Sequence, residues 1–206
     1  MNKYVAIAIA LVIVFIAGVA GYFVTATTQE TYAPASSMPA QAPAPAAPQA
    51  EAALDFSLND IDGKVRNLSD WQGKARLVNF WATWCAPCRR EIPLLKQTQE
   101  DHAADNIQVI GIAVDFPEEV QAYAEEAQFN YPILVGQEDA MAAAEASGID
   151  FIGLPFTMII APTGELLKSH IGEILESHIE TILGVFDALE TGRIDIAAAR
   201  EALGEL

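Results

Sequence analysis

The chain has 206 residues and a formal net charge of -17, from 28 acidic and 11 basic side chains. So acidic a protein repels polyanions, which excludes nucleic acid and anionic lipid as main partners of its globular part. The length allows one ordinary domain with attachments, or two small domains.

The first predicted element is an uncharged apolar run from Tyr4 to Val24, long enough to cross a hydrocarbon core of about 30 Å as a helix. Lys3 precedes the run and the next basic residue is Lys64, so the positive-inside rule places the rest of the chain outside the cytoplasm. Gly18-Val19-Ala20 would suit a cleaved signal peptide, but the apolar run continues beyond it, which favours an uncleaved anchor. Residues 1–24 are therefore predicted to be a membrane anchor or signal segment, and both alternatives export the remainder of the chain.

The next segment, residues 25–53, is dominated by Ala, Pro, Gln, Ser and Thr, with PASSMPAQAPAPAAPQA at its centre. It has no hydrophobic period and many prolines, so it cannot build a core. We predict an extended linker that holds a domain away from the membrane.

From residue 54 onward the pattern becomes that of one folded domain, predicted over residues 54–206. Asp62 and Gly63 lie between two alternating segments, which predicts a short β-hairpin. The runs ARLVNFWAT and NIQVIGIAVD are apolar and rich in β-forming residues, as expected of buried central strands. Between them, CAPCRREIPLLKQTQED predicts a helix that begins at the only two cysteines.

The second half of the domain continues this alternation of helices and strands. Pro117 begins a predicted helix that extends to about Gln128, with acidic residues in its first turn. The later predicted elements are a strand at YPILVG, a helix from Glu138 to Ser147 ending at Gly148, a hairpin in PFTMIIAPTGELLKSHI, and helices from Ile174 to Leu189 and from Ile194 to Leu203. This order predicts an α/β sandwich with a mixed sheet.

The stretch WATWCAPCRREIP contains Cys85 and Cys88 and admits three interpretations. Zinc usually needs four ligands, and the chain has neither a second cysteine pair nor histidines at ligand spacing, so no zinc site is predicted. Two thiolates alone can hold copper(I), which leaves a copper-handling role open. A disulfide between the cysteines would close a very short loop and stabilise the fold little, yet it forms easily between residues three apart on a helix. A redox couple is therefore favoured.

The position of Cys85 predicts a reactive thiol. It lies where a strand ends and a helix begins, so its thiolate would meet unpaired backbone N–H groups and the positive end of the helix dipole. Pro87 suits the first helical turn, and Arg89 and Arg90 add positive charge. We expect the pKa of the Cys85 thiol to lie below its usual value of about 8.5. Cys88, one turn deeper, should be more buried and suited to resolving.

VNFWATWCAPCRREIP, together with Gly153-Leu154-Pro155, resembles the thioredoxin superfamily, in particular the TlpA/ResA-like membrane-anchored thiol-disulfide oxidoreductases. The resemblance runs from about Leu54 to about Leu189. It implies a thioredoxin-like three-layer α/β/α sandwich with a central mixed sheet and an N-terminal β-hairpin. It also implies that Cys85 attacks and Cys88 resolves, with this redox-active disulfide and no further cofactor.

The resemblance implies a client-binding surface around the disulfide. Pro155 matches the cis-proline that faces the disulfide, and the backbone of Leu154 would pair with an extended client segment. Trp84, Ala86 and Pro87 are the other residues expected to contact the client, with Trp84 also shielding the Cys85 sulfur.

Two positions distinguish this site from a cytosolic thioredoxin. Asn79 stands where those proteins carry a buried Asp, and Asn cannot titrate. Glu91 matches a Glu that takes part in the site of the TlpA/ResA-like branch. On helical spacing Glu91 shares a side with Cys88, so we expect it to be half buried, to have a raised pKa and to exchange protons with that thiol. The alternative is a surface Glu paired with a nearby Arg.

A third position departs from the family. Phe156-Thr157 replaces a pair of threonines that is common there, which puts the client-facing surface in question.

These observations predict an extracytoplasmic thiol-disulfide oxidoreductase that reduces disulfides in client proteins. The resemblance implies a single-pass protein of the bacterial inner membrane with its domain facing the periplasm, a membrane electron donor that re-reduces it, and apocytochrome c as a typical client. The alternatives are a disulfide-forming oxidase and a copper-binding assembly factor that uses the same cysteines. Peroxide reduction is disfavoured, because a peroxidatic cysteine would be expected in a different local pattern.

Overall fold

The computed structural model describes residues 54–146 and 153–206. The predicted membrane segment (residues 1–24) and linker (residues 25–53) lie outside the described residues, so both stay predictions. Within the described ranges, no helix is both long enough and apolar enough to span a membrane. All of the described residues belong to one compact unit.

The elements formed by the described residues alternate much as the sequence predicts. The strands are β1 (Ser57–Asp60), β2 (Val65–Asn67), β3 (Ala75–Trp81), β4 (Ile107–Val114), β5 (Ile133–Gly136), β6 (Phe156–Ile160) and β7 (Leu166–Ile171). The α-helices are α1 (Ala86–His102), α2 (Pro117–Ala127), α3 (Glu138–Ala146), α4 (Glu176–Glu190) and α5 (Ile196–Ala202). Short 3-10 helices follow β2 at Leu68–Trp71 and α1 at Ala103–Asp105.

The strands in the described part of the chain form one mixed sheet in the order β2-β1-β5-β4-β3-β6-β7. Strands β3, β4 and β5 are parallel, whereas β6 is antiparallel to β3 and β7 is antiparallel to β6. The N-terminal hairpin turns at Gly63, whose φ of 79° suits glycine, and joins the sheet through β1 and β5. Strand β3, which leads to the cysteines, is central and buried along its whole length.

Helices cover both faces of this sheet. Along β3, Leu77 and Trp81 point into a core that includes residues of α1, α2, α4 and α5. Val78 and Phe80 point into the opposite core, which includes residues of α3. Such alternation is the normal consequence of the two-residue period of a strand. The predicted three-layer α/β/α sandwich with a mixed sheet and an N-terminal hairpin is confirmed.

The strand directions bring several loops to one edge of the sheet. Because β7 returns parallel to β3, the carboxyl ends of β3, β4, β5 and β7 lie at the same edge. The amino end of β6 lies there too, since Phe156 pairs with Phe80 near the end of β3. The cysteines, the Leu154-Pro155 segment and the β7–α4 loop are therefore neighbours, although they are distant in sequence.

Two helix boundaries differ from the prediction for a physical reason. Helix α4 begins at Glu176 rather than Ile174, because the backbone of Leu175 is extended, with φ of -109° and ψ of 164°, and this residue is the N-cap. Helix α5 begins at Ile196, where Asp195 caps it by accepting from the N–H of Ala198 at 2.9 Å. The predicted end of α3 at Gly148 lies outside the described residues.

Candidate active site

Cys85 and Cys88 are joined by a disulfide at the start of α1, with their Cα atoms 5.3 Å apart. Cys85 is the N-cap of the helix, and its Sγ accepts a hydrogen bond from the backbone N–H of Cys88 at 3.3 Å. Cys85 is 5% exposed, whereas Cys88 is completely buried. An incoming sulfur atom therefore reaches Cys85 first, and Cys88 lies where it can attack from within.

The positive potential at Cys85 comes mainly from the helix terminus. Arg90 is bonded through its Nε to both carboxylate oxygens of Glu173, at 3.2 and 3.1 Å, so much of its charge is offset. Arg89 places its guanidinium 5.1 Å from the ring centre of Tyr123. No acidic residue occupies the first turn of α1. The free N–H groups of that turn remain the main stabiliser of a thiolate at Cys85.

Glu91 lies one turn after Cys88 and is 1% exposed, deeper than the half-burial expected from the sequence. Its Oε1 accepts from Nδ2 of Asn79 at 2.8 Å, and its Oε2 accepts from the backbone N–H of Ile174 at 2.6 Å. The alternative of a surface Glu paired with an arginine is wrong, because the neighbouring Arg90 pairs with Glu173 instead.

Burial has a direct effect on the protonation of Glu91. It raises the pKa of this carboxyl from 4.5 to about 7, against the two hydrogen bonds that favour the charged form, and the charge of Glu173 adds to the rise. A carboxyl that is half protonated near neutral pH, beside a thiol on the same helix, is suited to give and take protons.

Asn79 and Thr157 complete the buried polar cluster beneath Glu91. They are directly paired across β3 and β6, and Asn79 Nδ2 also donates to Thr157 Oγ1 at 3.0 Å. Phe156 faces the other side of the sheet, where its ring stacks on Phe80 with centroids 4.2 Å apart. The side chain of Phe156, where the chain departs from the family, therefore lies in the core.

The β7–α4 loop, residues 172–175, closes the site from the other side. The Leu154–Pro155 peptide bond is cis, and the Pro155 carbonyl accepts from the N–H of Gly172 at 2.9 Å. Two residues further, Ile174 donates to Glu91. The loop thus connects the proline segment to the buried carboxyl. The sequence did not reveal this role of Ile174, because nothing local indicates where a loop amide will point.

A second carboxylate holds the loop that precedes the cysteines. Asp115, at the end of β4, accepts from both the N–H and the Oγ1 of Thr83, at 3.0 and 2.6 Å, and from the N–H of Phe116 at 2.9 Å. Asp115 was not among the site residues predicted from the sequence. Its position at the end of a predicted strand parallel to the cysteine strand was the available signal.

The two tryptophans near the cysteines have different environments. Trp81 is buried in the core and packs against Tyr123 and Phe129, with ring centroids 5.5 and 5.3 Å away. Trp84 is 71% exposed, and its predicted shielding of the Cys85 sulfur stays a prediction. Its indole is available to a partner.

The remaining predicted contact residues lie at the same edge of the sheet. Ala86 is exposed and Pro87 is half buried in the first turn of α1, and Leu154 is half buried beside Pro155. Across residues 54–146 and 153–206, no group of three or more His, Cys, Asp or Glu side chains is placed to hold a metal ion. The chemistry that this arrangement supports is sulfur exchange with a nearby proton acceptor.

The profile of the AhpC/TSA family matches residues 50–169. The thiol-disulfide oxidoreductase ResA of Geobacillus thermodenitrificans is 32% identical over 117 residues, which make up 56% of this chain and 65% of that protein. The match thus spans slightly less than two thirds of that relative. The thioredoxin-like protein YneN of Bacillus subtilis is 32% identical over 127 residues, 60% of this chain and 71% of that protein.

Among solved structures, the chain is similar to a thioredoxin-family thiol:disulfide interchange protein from Chlorobium tepidum. The two share 31% sequence identity and superpose with a TM-score of 0.58, over 64% of this chain and 92% of that one.

Glu91→Gln should change how stability depends on pH. Because burial raises the pKa of Glu91 above its unfolded value, the folded chain holds this proton more tightly, and the resulting stability is lost as pH rises from 4.5 to about 7. Gln has no charge to desolvate, so the variant should gain up to about 3 kcal/mol relative to the wild type across that window. Urea unfolding of the oxidised proteins at several pH values measures this difference.

The matched control for this measurement is Glu100→Gln, which changes an exposed carboxyl on the same helix. Its stability should follow the wild type at every pH. A Glu91→Gln difference that stays constant from pH 4.5 to 7 would show that the buried carboxyl does not bind its proton as described.

Asp115→Asn should loosen the loop before Cys85. The Asn amide offers one acceptor oxygen in place of two, so at least one of the three N–H or O–H donors loses its partner, at a cost of about 1–3 kcal/mol. Chemical unfolding measures the loss. Glu118→Gln, an exposed change in the following helix, should stay within about 0.5 kcal/mol of the wild type. Equal stability of the two variants would contradict the role given to Asp115.

Proposed function

The chain belongs to the AhpC/TSA family of thioredoxin-like proteins, and we propose that it works as a thiol-disulfide oxidoreductase on the disulfides of client proteins. One observation carries the proposal: a disulfide whose outer sulfur caps a helix start lies one turn from a buried carboxyl with a pKa of about 7. A structural disulfide would need no such proton acceptor.

In the proposed reaction the reduced protein attacks first through Cys85. Its thiolate forms a bond to one sulfur of the client disulfide, and the other client sulfur leaves as a thiolate that takes a proton from water. Glu91 then accepts the thiol proton of Cys88. The Cys88 thiolate attacks Cys85, the mixed disulfide breaks, and the second client sulfur leaves. Two electrons have passed to the client, and Cys85–Cys88 is oxidised.

The direction of net transfer is a separate part of the proposal. We favour reduction of clients, since the TlpA/ResA-like resemblance implies it, with re-reduction by a membrane electron donor. Net oxidation would use the same residues, and the reduction potential of Cys85–Cys88 relative to its compartment distinguishes the two. Apocytochrome c is proposed as a client on the resemblance alone.

The proposed location is extracytoplasmic, with the chain anchored in a bacterial inner membrane and its domain facing the periplasm. Its support is the apolar run from Tyr4 to Val24, preceded by Lys3. An oxidising compartment also explains why a reductase would need a donor that draws electrons from the cytoplasm.

Exposed apolar side chains around the disulfide support a protein client rather than a small thiol. Trp84 follows β3, Phe116 follows β4, and Ile171 and Leu175 lie at and after the end of β7, so all four are at the edge that carries the disulfide. Large exposed apolar side chains at one place mark an interaction surface. The backbone of Leu154 forms no hydrogen bond to another residue in the described ranges, so an extended client segment could pair with it.

Cys88→Ala should trap clients on Cys85. Without the resolving thiol the mixed disulfide cannot be released, so covalent adducts should accumulate and disappear on treatment with a reductant. Gel analysis without and with reductant, after incubation with a disulfide-bearing protein such as insulin, measures them. Cys85→Ala is the matched control and should form almost none, because Cys88 is buried.

The absence of any Cys85 adduct in Cys88→Ala would overturn the proposed exchange. That result would favour the copper-binding alternative, in which both cysteines serve as ligands without attacking a client.

Trp84→Ala should weaken the reaction with protein disulfides but not with a small one. Loss of an exposed aromatic contact at the centre of a binding surface should lower kcat/KM for insulin about tenfold. The rate with a small aromatic disulfide should change less than about twofold, since the sulfur chemistry is intact. Val65→Ala, which removes a 62% exposed side chain from the strand at the far side of the sheet, is the control. An equal loss for both substrates would contradict a binding role.

A further inference from the structure

The side-chain amide of Asn79 is only half satisfied. Its Nδ2 donates two hydrogen bonds, to Glu91 Oε1 at 2.8 Å and to Thr157 Oγ1 at 3.0 Å. Its Oδ1 is buried and has no hydrogen-bond partner among the described residues. Buried acceptors are rarely left without a donor, so an unpaired oxygen beside a titrating carboxyl calls for an explanation.

The hydrogen bonds of Glu91 explain why Asn79 Oδ1 has no donor in this structure. Both of its oxygens accept from N–H groups, which suits the charged carboxylate. A protonated carboxyl must instead donate its hydrogen to an acceptor. The Ile174 donor is a backbone N–H and cannot become an acceptor. The Asn79 amide can, because a half-turn about its last side-chain bond exchanges the positions of Nδ2 and Oδ1 with little change in shape.

We propose that Asn79 is a positioning residue whose amide turns over each time Glu91 gains or loses a proton. With Glu91 charged, Nδ2 faces both Glu91 and Thr157, as the structure has it. With Glu91 protonated, Oδ1 lies where Nδ2 was. It accepts one hydrogen bond from the Glu91 carboxyl and one from the Thr157 hydroxyl, which changes from acceptor to donor. A hydroxyl serves both states because it donates as well as accepts.

The inference rests on the proposed function, in which Glu91 receives the proton of Cys88. When that proton arrives, the Cys88 thiolate attacks Cys85 and the client leaves as a thiolate. Asn79 then holds the protonated carboxyl by accepting its hydrogen. In the reverse step a thiolate of the proposed membrane donor bonds to Cys85 and the Cys85–Cys88 bond breaks. Glu91 returns its proton to the departing Cys88 sulfur, and the amide turns back. The Asn79 amide itself stays neutral at every stage.

The number of hydrogen bonds is the same in both states. Each state has two bonds between the amide and its neighbours and leaves one amide group unpaired, Oδ1 in one and Nδ2 in the other. The amide therefore has a bond for either protonation state, but its bond to the charged carboxylate is the stronger one, because hydrogen bonds to ionised groups are stronger than neutral ones. An Asp at position 79 would instead place a second carboxylate against Glu91 and couple the two titrations.

Other titratable and charged groups face Glu91 without providing the missing acceptor. Glu173 is paired with Arg90, and the buried phenol of Tyr131 interacts with the Glu91 charge. Burial raises the pKa of the Tyr131 phenol, so it stays neutral. His170 and His178 lie together beyond the β7–α4 loop, and His178 Nδ1 accepts from the N–H of Leu175. In the oxidised protein Cys88 does not titrate, so the other groups to be followed in a titration are Tyr131, His170, Glu173 and His178.

Nuclear magnetic resonance of the oxidised full chain, in mild detergent and without a client, tests the turn directly. Above the Glu91 midpoint, the Asn79 NH2 hydrogens should show Overhauser contacts to the Thr157 methyl group. These contacts should disappear below that midpoint. The pH at which they are half lost should equal the midpoint of the chemical-shift change of the Glu91 carboxyl carbon. Contacts from the Asn79 β-hydrogens should not change with pH. Contacts that persist across the titration would overturn the proposal.

Two kinds of variant sharpen this test. Glu91→Gln resembles the protonated acid, because its NH2 can donate to Asn79 Oδ1, so the turned amide should be present at every pH. A pH-dependent amide in that variant would contradict the assignment to Glu91. Asn79→Leu should raise the Glu91 midpoint by about one pH unit, a tenfold change in proton affinity. Asn79→Ser keeps a group that donates and accepts, so it should shift the midpoint less.

These measurements separate the inference from the function on which it rests. A fixed amide together with trapped clients in Cys88→Ala would reject the turn alone. A turning amide with no trapped client would reject the proposed exchange and leave the proton coupling of Asn79 and Glu91 in place.

Discussion

The arrangement of this site depends on the hydrogen bonds of the buried Glu91 carboxyl group. Its two oxygens join three parts of the chain: helix α1, which carries the cysteines, strand β3 through Asn79, and the β7–α4 loop through Ile174. A carboxylate without water is tolerated only if donors replace that water. The two donors do so incompletely, and the pKa therefore rises to about 7. The contact that fixes the geometry of the site also sets its proton chemistry.

The topology of the sheet brings together the loops that surround the Glu91 carboxyl. Parallel strands β3 and β4 end at one edge, and the β6–β7 hairpin returns the chain to that edge. The loops at this edge are held there by their own bonds, Asp115 to Thr83 on one side and Gly172 to the Pro155 carbonyl on the other. These bonded loops surround an exposed apolar rim, formed by Trp84, Phe116, Ile171 and Leu175. In a chain of such high negative charge, that rim is better suited to the apolar side chains of the proposed client than to an anionic ligand.

Asn79 distinguishes this site from one built around a titrating aspartate. An aspartate in the central strand would add a second charge to a pocket that already buries Glu91. An amide offers a donor to the carboxylate and an acceptor to the acid without adding charge. Thr157 is paired with Asn79 on the neighbouring strand β6, and its hydroxyl can likewise both donate and accept a hydrogen bond. Titration in this site is thereby concentrated on the carboxyl and the two sulfur atoms.

The sequence by itself determined every feature that depends on spacing within one segment. These are the hairpin at Gly63, the buried strands, the cysteine pair at a helix start, and Glu91 one turn from Cys88, because periodicity and helix geometry act over a few residues. Only the tertiary structure decided which groups meet Glu91. Thr157 lies 78 residues from Asn79, and Ile174 lies 83 residues from Glu91. Their meeting depends on strand register and on the path of a loop, which are set by the packing of whole layers and leave no local mark in the chain.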